Sequence, residues 1–344
     1  MNNLHRRQLD REQLEGILTA AGTDPGEVDS VTELTDATFN TVYRVRLRDS
    51  AAGRPHRGLV LKIAPDPHAP TLTYERGIMR TEALFYRATA GRAPVPDVVH
   101  ADFTRDVAGS DVLVLTDLPG TNWYAAREQL ADGERAGLRT ELGGMVAALH
   151  QVTGAGFGYP QMSLAPDWRT AFLSMVDTVL TDADAFAAPL PMPATRIRET
   201  VWGSADLLDA VRTAVLVHFD LWEGNILVDR AAGQPRIGGL VDGERAFWGD
   251  PLADLVSLAL FDDIERDEPF LSGYRSAGGR IDFDSATRRR LAMYRCYLYL
   301  IMLVEPVPRG FSGPDHERQT RYVSRRLRAE LANISPTVRQ GGGL

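Results

Sequence analysis

The sequence is nearly devoid of two residue types: it has one cysteine, Cys296, and one lysine, Lys62. A single thiol excludes an intramolecular disulfide framework and a multi-cysteine zinc site. Long apolar runs are also missing. The longest, Tyr297–Val304, falls far short of the roughly 18–20 residues that span a bilayer. The first residues, MNNLHRRQLDREQLEG, lack the apolar core of a secretory signal. Basic charge is not in excess, since 38 Lys and Arg face 46 Asp and Glu, for a net charge of −8. That balance disfavours a general nucleic-acid binder and is compatible with a cationic substrate. These absences predict a cytoplasmic protein, monomer or homodimer, with no nucleic-acid or membrane partner. What is present is ordinary globular usage, 44% hydrophobic and 24% charged, on a chain of 344 residues. Such a length suits one large domain or two modest ones sharing a cleft.

Lys62 stands out because the other basic residues are all arginine, a bias expected of GC-rich codon usage. It lies inside the apolar run Gly58-Leu-Val-Leu-Lys-Ile63. One reading is an edge-strand charge that blocks aggregation. The other is a compact ammonium aimed at a ligand phosphate, where arginine substitutes poorly.

Residues 11–21 read as a short helix. Val28–Leu34 and Val42–Leu47 read as a hairpin around the polar turn Thr35–Thr41. A polar loop through Pro55 leads to the strand bearing Lys62. Residues 74–90 have helical character, and Val98–Phe103 and Asp111–Thr116 read as two more strands. The first half is therefore predicted as a five-stranded antiparallel sheet with one helix after its third strand. After a hinge near Asp117–Gly120, helices are expected at 133–152, 167–181, 198–214, 251–261, 284–304 and 316–333. Gly238–Val241 reads as a short strand and the tail from Gln340 as frayed.

The chemistry concentrates in His218-Phe-Asp-Leu-Trp-Glu-Gly-Asn225, an H-x-D-x-x-x-x-N pattern, followed by the apolar strand that ends in Asp242. Phosphoryl transfer needs a carboxylate for the attacking hydroxyl. It needs an amide oxygen and a second carboxylate for magnesium. It also needs a cation on the phosphates, fixed by an acid on a nearby helix. Lys62, Glu82, Asp220, Asn225 and Asp242 occur in that chain order.

At this point the sequence resembles the aminoglycoside phosphotransferase and choline kinase superfamily. The resemblance spans roughly residues 30–305. It is carried by VLKI (60–63), RTEALFYRA (80–88), PVPDVVHAD (94–102), VLTDLPG (114–120), AALHQVTG (147–154), VHFDLWEGNILVD (217–229) and GLVDGERAFWGDPLADL (239–255). It implies an α+β, two-lobed protein-kinase-like fold. The small five-stranded N-lobe with one helix (1–118) would bind nucleotide, and the larger helical C-lobe (119–344) would carry the catalytic loop and substrate. It implies an ATP- and Mg2+-dependent kinase with Asp220 as catalytic base and Asn225 and Asp242 as magnesium ligands. Lys62 would contact the phosphates, paired with Glu82, and the hinge Thr116, Asp117 and Leu118 would receive adenine. Glu244, in Asp242-Gly-Glu244, would join the metal site or face the substrate.

Two departures from the pattern matter. Phe219 stands where many members have glycine, and the phosphate-covering turn has no glycine between Thr35 and Thr41, so Asn40 is the candidate phosphate donor there. Several residues also have plainer readings. His218 reads as a holder of the loop, Asp250 and Asp254 as its braces, His150 as a helix cap, and Cys296 as a core thiol. Trp222 divides evenly between packing and lining the substrate pocket. Glu75 competes with Glu82 as partner of Lys62. The acidic run Asp262–Glu268 reads as a solvated face.

A metal-dependent hydrolase leaves Lys62 and Glu82 unexplained, and a pseudokinase normally loses a catalytic residue. A protein kinase needs a longer segment after Asp242 than this chain has. For the acceptor, Glu223, Glu244, Asp262 and Glu305 are candidate ammonium ligands, and Phe157, Tyr159 and Trp168 candidate sugar-stacking rings. An amino sugar or aminoglycoside is the expectation, with choline, fructosamine and methylthioribose as alternatives. Antibiotic resistance and sugar metabolism are not separated by the sequence.

Overall fold

The computed structural model describes residues 6–35, 38–48, 58–230 and 233–334. The turn residues Asp36 and Ala37, the loop through Pro55 and the tail from Gln340 lie outside them. In the first half, β-branched and leucine-rich runs form β1 (Val28–Glu33), β2 (Thr41–Leu47), β3 (Gly58–Ile63), β4 (Val98–Asp102) and β5 (Val112–Thr116). They pair antiparallel in the order β1-β2-β3-β5-β4. β3 is therefore the central strand, which removes the edge-blocking explanation for its lysine. Alternation along β3 sends Leu59, Leu61 and Ile63 to one face. There they bury against Ile17 and Leu18 of α1 (Arg11–Ala20). Lys62 consequently faces the other way, toward α2 (Ile78–Thr89), where its ammonium meets Glu82.

The helix expected over 74–90 is divided. Thr73–Glu75 makes a single 3₁₀ turn, and α2 starts after Gly77, whose φ of 73° lies in the left-handed region. Apolar spacing runs through this point, but the change of backbone hand belongs to glycine and interrupts the helix.

The second half comprises β6 (Thr121–Asn122), α3 (Trp123–Ala126), α4 (Asp132–Leu149), α5 (Trp168–Ala185), α6 (Ala194–Trp202), β7 (Val215–Val217), β8 (Ile226–Asp229), β9 (Arg236–Leu240), β10 (Phe247–Gly249), α7 (Asp254–Leu258), α8 (Glu268–Ser276), α9 (Ser285–Val304) and α10 (Pro314–Ile334). Two small antiparallel sheets, β6-β8-β9 and β7-β10, frame the motif loops. The loop between β7 and β8 carries Asp220 and Asn225, and the turn after β9 carries Asp242.

Other helices differ from expectation: the one expected over 251–261 shortens to α7 after a 3₁₀ turn, and α3 is an addition. The one predicted over 198–214 begins at Ala194 and stops at Trp202, where Gly203 donates back to Glu199 O and ends the ladder. α8 is an addition: Asp267, at the end of the supposedly solvated acidic run, caps it by accepting from Phe270 N at 3.1 Å. α8 lies so close to α4 that a Cβ on Gly273 would stand 1.9 Å from Thr140 O.

An aromatic layer supports the helical half. Trp168 stacks on Phe247 at 5.6 Å, and Phe172, Tyr294 and Tyr297 complete the layer. Phe157, Tyr159 and Trp168 are 6%, 2% and 0% exposed. They are core residues, which corrects the expectation that they stack on a sugar. No described helix is long and apolar enough to cross a membrane.

Candidate active site

The central contact is made by the lone lysine. Lys62 Nζ donates to Glu82 Oε1 and Oε2 at 2.7 and 2.9 Å and to Asp242 Oδ1 at 2.6 Å. Burial disfavours an ammonium, yet the carboxylates of Asp242 and Glu82 more than offset it and hold the lysine pKa well above its usual value. Asp242 is held low because the Lys62 ammonium stands against it. Burial of Glu82 raises its pKa in spite of the lysine. Glu75 is not the partner of Lys62. It accepts from Leu72 N at 2.7 Å and from Arg309 at 2.5 Å.

α2 presents three residues of one face to this cluster, at positions 82, 85 and 86. Besides Glu82, Tyr86 donates to Glu82 Oε1 at 2.7 Å, and its hydroxyl oxygen accepts from Asp242 N at 2.9 Å. Phe85 packs edge-on to His218 and so near Gly243 that a Cβ there would lie 2.4 Å from its ring. Tyr86 was not singled out by sequence, although its spacing from Glu82 is the signal that would have found it.

The catalytic-loop candidate is held from several sides. His218 Nδ1 accepts from Asp220 N at 3.2 Å and Nε2 faces Val241 O at 3.1 Å, so its partners fix Nε2 as the protonated nitrogen. Phe219 has a φ of 64°, a left-handed conformation that costs a non-glycine residue about 1–3 kcal/mol. Its N–H donates to Asp254 Oδ1 at 2.7 Å, and its fully buried ring packs on Phe247 and Tyr297. Those interactions hold the loop where glycine was expected. Asp254 Oδ2 meets His150 Nε2 at 2.9 Å, so His150 supports the loop as well as ending α4. Ser257 Oγ accepts from Leu221 N at 3.0 Å. Asp250 accepts from Arg290 and Tyr294, both at 2.7 Å.

Asp220 faces Arg245, whose Nε is 3.8 Å from Oδ2. Burial raises the Asp220 pKa, opposed by the arginine. Arg245 also donates to Glu305 Oε2 at 2.6 Å, and Glu305 accepts in turn from Arg309. A partly buried chain of charges thus runs from Asp220 through Arg245, Glu305 and Arg309 to Glu75.

Asn225 Nδ2 donates to Asp220 O at 2.9 Å, which leaves the amide oxygen to a ligand. Carboxylate oxygens of Glu82, Asp242 and Glu244 lie within 4.8 Å of one another. Glu82 gives both oxygens to Lys62 whereas Asp242 gives one, so Asp242 Oδ2, Glu244 and Asn225 are the available donors. An all-oxygen set of carboxylates and an amide fits a hard divalent cation such as Mg2+. Burial, then the neighbouring Asp242, pushes Glu244 up to about 8. Asn40 reaches across to it, Nδ2 donating to Glu244 Oε2 at 2.7 Å, while Asn40 Oδ1 is buried with no partner.

Asn40, Lys62, Glu82, Asp220, Asn225, Asp242 and Glu244 line one cleft of about 1100 Å³, together with Thr116, Asp117, Leu118 and Trp222. Thr116 N donates to Asp97 O and Asp117 N to Gly58 O, and Leu118 lines the cleft beside them. Glu305 lines the cleft as expected, but Glu223 and Asp262 do not. Asp262 is exposed on a second cavity rich in arginine, because the chain turns at Phe261, whose φ is 66°. Glu223 sits in the 3₁₀ turn that positions Asn225.

A sequence model of the phosphotransferase enzyme family (APH) matches residues 30–294. Among curated proteins, a 4-hydroxytryptamine kinase from Psilocybe cubensis is 23% identical over 229 residues. That match spans 61% of this chain and 60% of the relative's length. Among solved structures, a thermostable mutant of aminoglycoside phosphotransferase APH(4)-Ia, in complex with AMP-PNP and hygromycin B, superposes with a TM-score of 0.64 at 16% identity. It covers 96% of this chain and 100% of that one. A choline/ethanolamine kinase family protein from Mesorhizobium loti gives 0.58 at 20% identity, covering 94% and 99%. The protein-kinase-like fold is common to them. The family match over most of the chain and the shared fold establish that this chain belongs to the phosphotransferase enzyme family.

Proposed function

We propose that the protein is a kinase that transfers the γ-phosphate of ATP to a hydroxyl of a small molecule. The observation that carries this reading is the lone lysine, held by Glu82 and Asp242 in the cleft that also contains Asp220 and Asn225. In this reading residues 1–118 serve the nucleotide and residues 119–344 the acceptor. The backbone at Thr116–Leu118 receives the adenine, Lys62 binds the phosphates and Asn40 covers them. Asp242 and Asn225, with Glu244 beside them, would hold Mg2+, which when bound neutralises charge on the triphosphate.

Asp220 orients the acceptor hydroxyl and takes its proton. The hydroxyl oxygen forms the new bond to the γ-phosphorus as the bond to ADP breaks. Arg245 stands beside the Asp220 carboxylate and opposes the rise in its pKa that burial causes. The names of the similar proteins point to different acceptors, a tryptamine and aminoglycosides. Both carry hydroxyls, and that shared chemistry is what the reading adopts.

Calorimetric titration with ATP, with and without Mg2+, tests the proposal. Magnesium-dependent binding is expected, and no binding in either condition refutes it.

A further inference from the structure

The wall of the cleft beyond Asp220 says more about the acceptor, provided the kinase reading holds. Arg245 ties Asp220 to Glu305, at the C-terminal end of α9. Leu298, Met302 and Glu305 fall at i, i+4 and i+7, on one face of that helix, and all three line the cleft. Trp222, Leu260, Phe261 and Phe311 add further apolar surface. Phe261 is fixed by stacking on Tyr299 at 5.7 Å. Trp222 packs against Tyr124 at 5.7 Å, on the same cleft.

Among the described residues, the carboxylate that α9 adds to this wall, Glu305, is already committed. Glu305 accepts from two arginines, Arg245 and Arg309. Glu244 belongs with Asp242 to the candidate cation site, and Glu223 and Asp262 do not line the cleft. An ammonium group buried against apolar side chains without a partner loses its hydration for nothing.

We infer that the acceptor is an apolar, ring-bearing alcohol or phenol with no more than one positive charge, seated on the Trp222–Phe261–Met302 wall with its hydroxyl at Asp220. A multiply charged amino sugar, the expectation from sequence, does not match that surface. Binding is then driven by apolar area removed from water, and the single oxygen at Asp220 fixes orientation.

Direct binding and transfer to three probes test this on the full chain. The probes are 2-naphthaleneethanol, tyramine and the polycationic kanamycin. Each is titrated calorimetrically with and without Mg2+ and ATP analogue, and transfer from ATP is read by mass spectrometry. The neutral aryl alcohol should bind at least about tenfold more tightly than kanamycin. Met302→Glu, which places a carboxylate on the wall, should weaken the aryl alcohol by roughly tenfold or more. Phe311→Glu, at a residue 43% exposed, repeats the test at a position tolerant of charge.

Kanamycin binding as tightly as the aryl alcohol overturns the inference. So does an aryl alcohol that fails to bind, or an affinity that neither variant changes. Loss of Mg2+-ATP binding counts against the kinase reading instead, and the acceptor titrations without nucleotide are still read on their own.

Discussion

Replacing Lys62 by methionine keeps most of the apolar stem and removes the ammonium. The charge lost is bonded to three carboxylate oxygens at 2.6–2.9 Å. Glu82 has no exposure to share the burden, whereas the Asp242 side chain is 38% exposed. Breaking a buried ion pair from one side costs about 3–5 kcal/mol. Because water reaches Asp242, the low end, about 3 kcal/mol, is expected. At about 2.1 cal/mol/K of unfolding entropy per residue, a 344-residue chain shifts by roughly 1.4 °C per kcal/mol, so the melting temperature should fall by about 4 °C.

The deficit should also depend on pH. Burial already raises the Glu82 pKa, and without Lys62 it rises further. The folded variant then retains a proton that the unfolded chain releases near pH 4.3, so its stability falls as pH rises from about 4 toward 8. Thermal melts at about pH 5.5 and about pH 8 should therefore show a larger gap from wild type at the higher pH. A gap of equal size at both values, or no gap, refutes the account of Lys62 as the counter-charge of this cluster.

Other variants separate the remaining roles. Asp220→Asn should lose roughly 10²–10⁴-fold in turnover while ATP affinity stays within a few-fold, whereas Asp242→Asn should lose magnesium-dependent ATP binding; titration and steady-state kinetics distinguish them. Tyr86→Phe removes the bonds to Glu82 and Asp242 N, and should cost about 1–3 kcal/mol in a denaturant melt. Glu244, pushed up to about 8, should make Mg2+-ATP affinity rise with pH until about that value, since the cation displaces its proton; Glu244→Gln should flatten the profile. Asp254→Asn should weaken the brace on Phe219 and lower both stability and turnover, measured by melting and by assay with saturating ATP.

The sheet and the cluster at Lys62 are legible in the sequence for a local reason. β3 and the 218–225 segment are short, and their residue types restrict the chemistry before any packing is known. Lys62 and Glu82 can be paired by counting along one strand and one helix. Tyr86 and Arg245 are harder to read, because their roles depend on two loops meeting across the cleft. Phe219 is legible only as a departure from glycine, since the compensating carboxylate of Asp254 lies on a different element. The acceptor residues are least legible. An acidic side chain looks the same in sequence whether it is free or, like Glu305, already taken by arginines.

The charge chain that ends at Glu75 also has a mechanical meaning. Glu75 lies just ahead of the helix that carries Glu82, and Arg309 lies just beyond α9. Their bond moors the two halves of the molecule to each other through side chains that are 2% and 5% exposed. Arg309 also lies under the Phe39 ring at 4.7 Å. With such a strut in place, wide rotation of one half against the other would part Glu75 from its arginine, at a cost that a buried ion pair makes high. Movement between the halves would then be confined to small displacements of the strand-side rim at Phe39 and Asn40, leaving the spacing between Lys62 and Asp220 nearly constant.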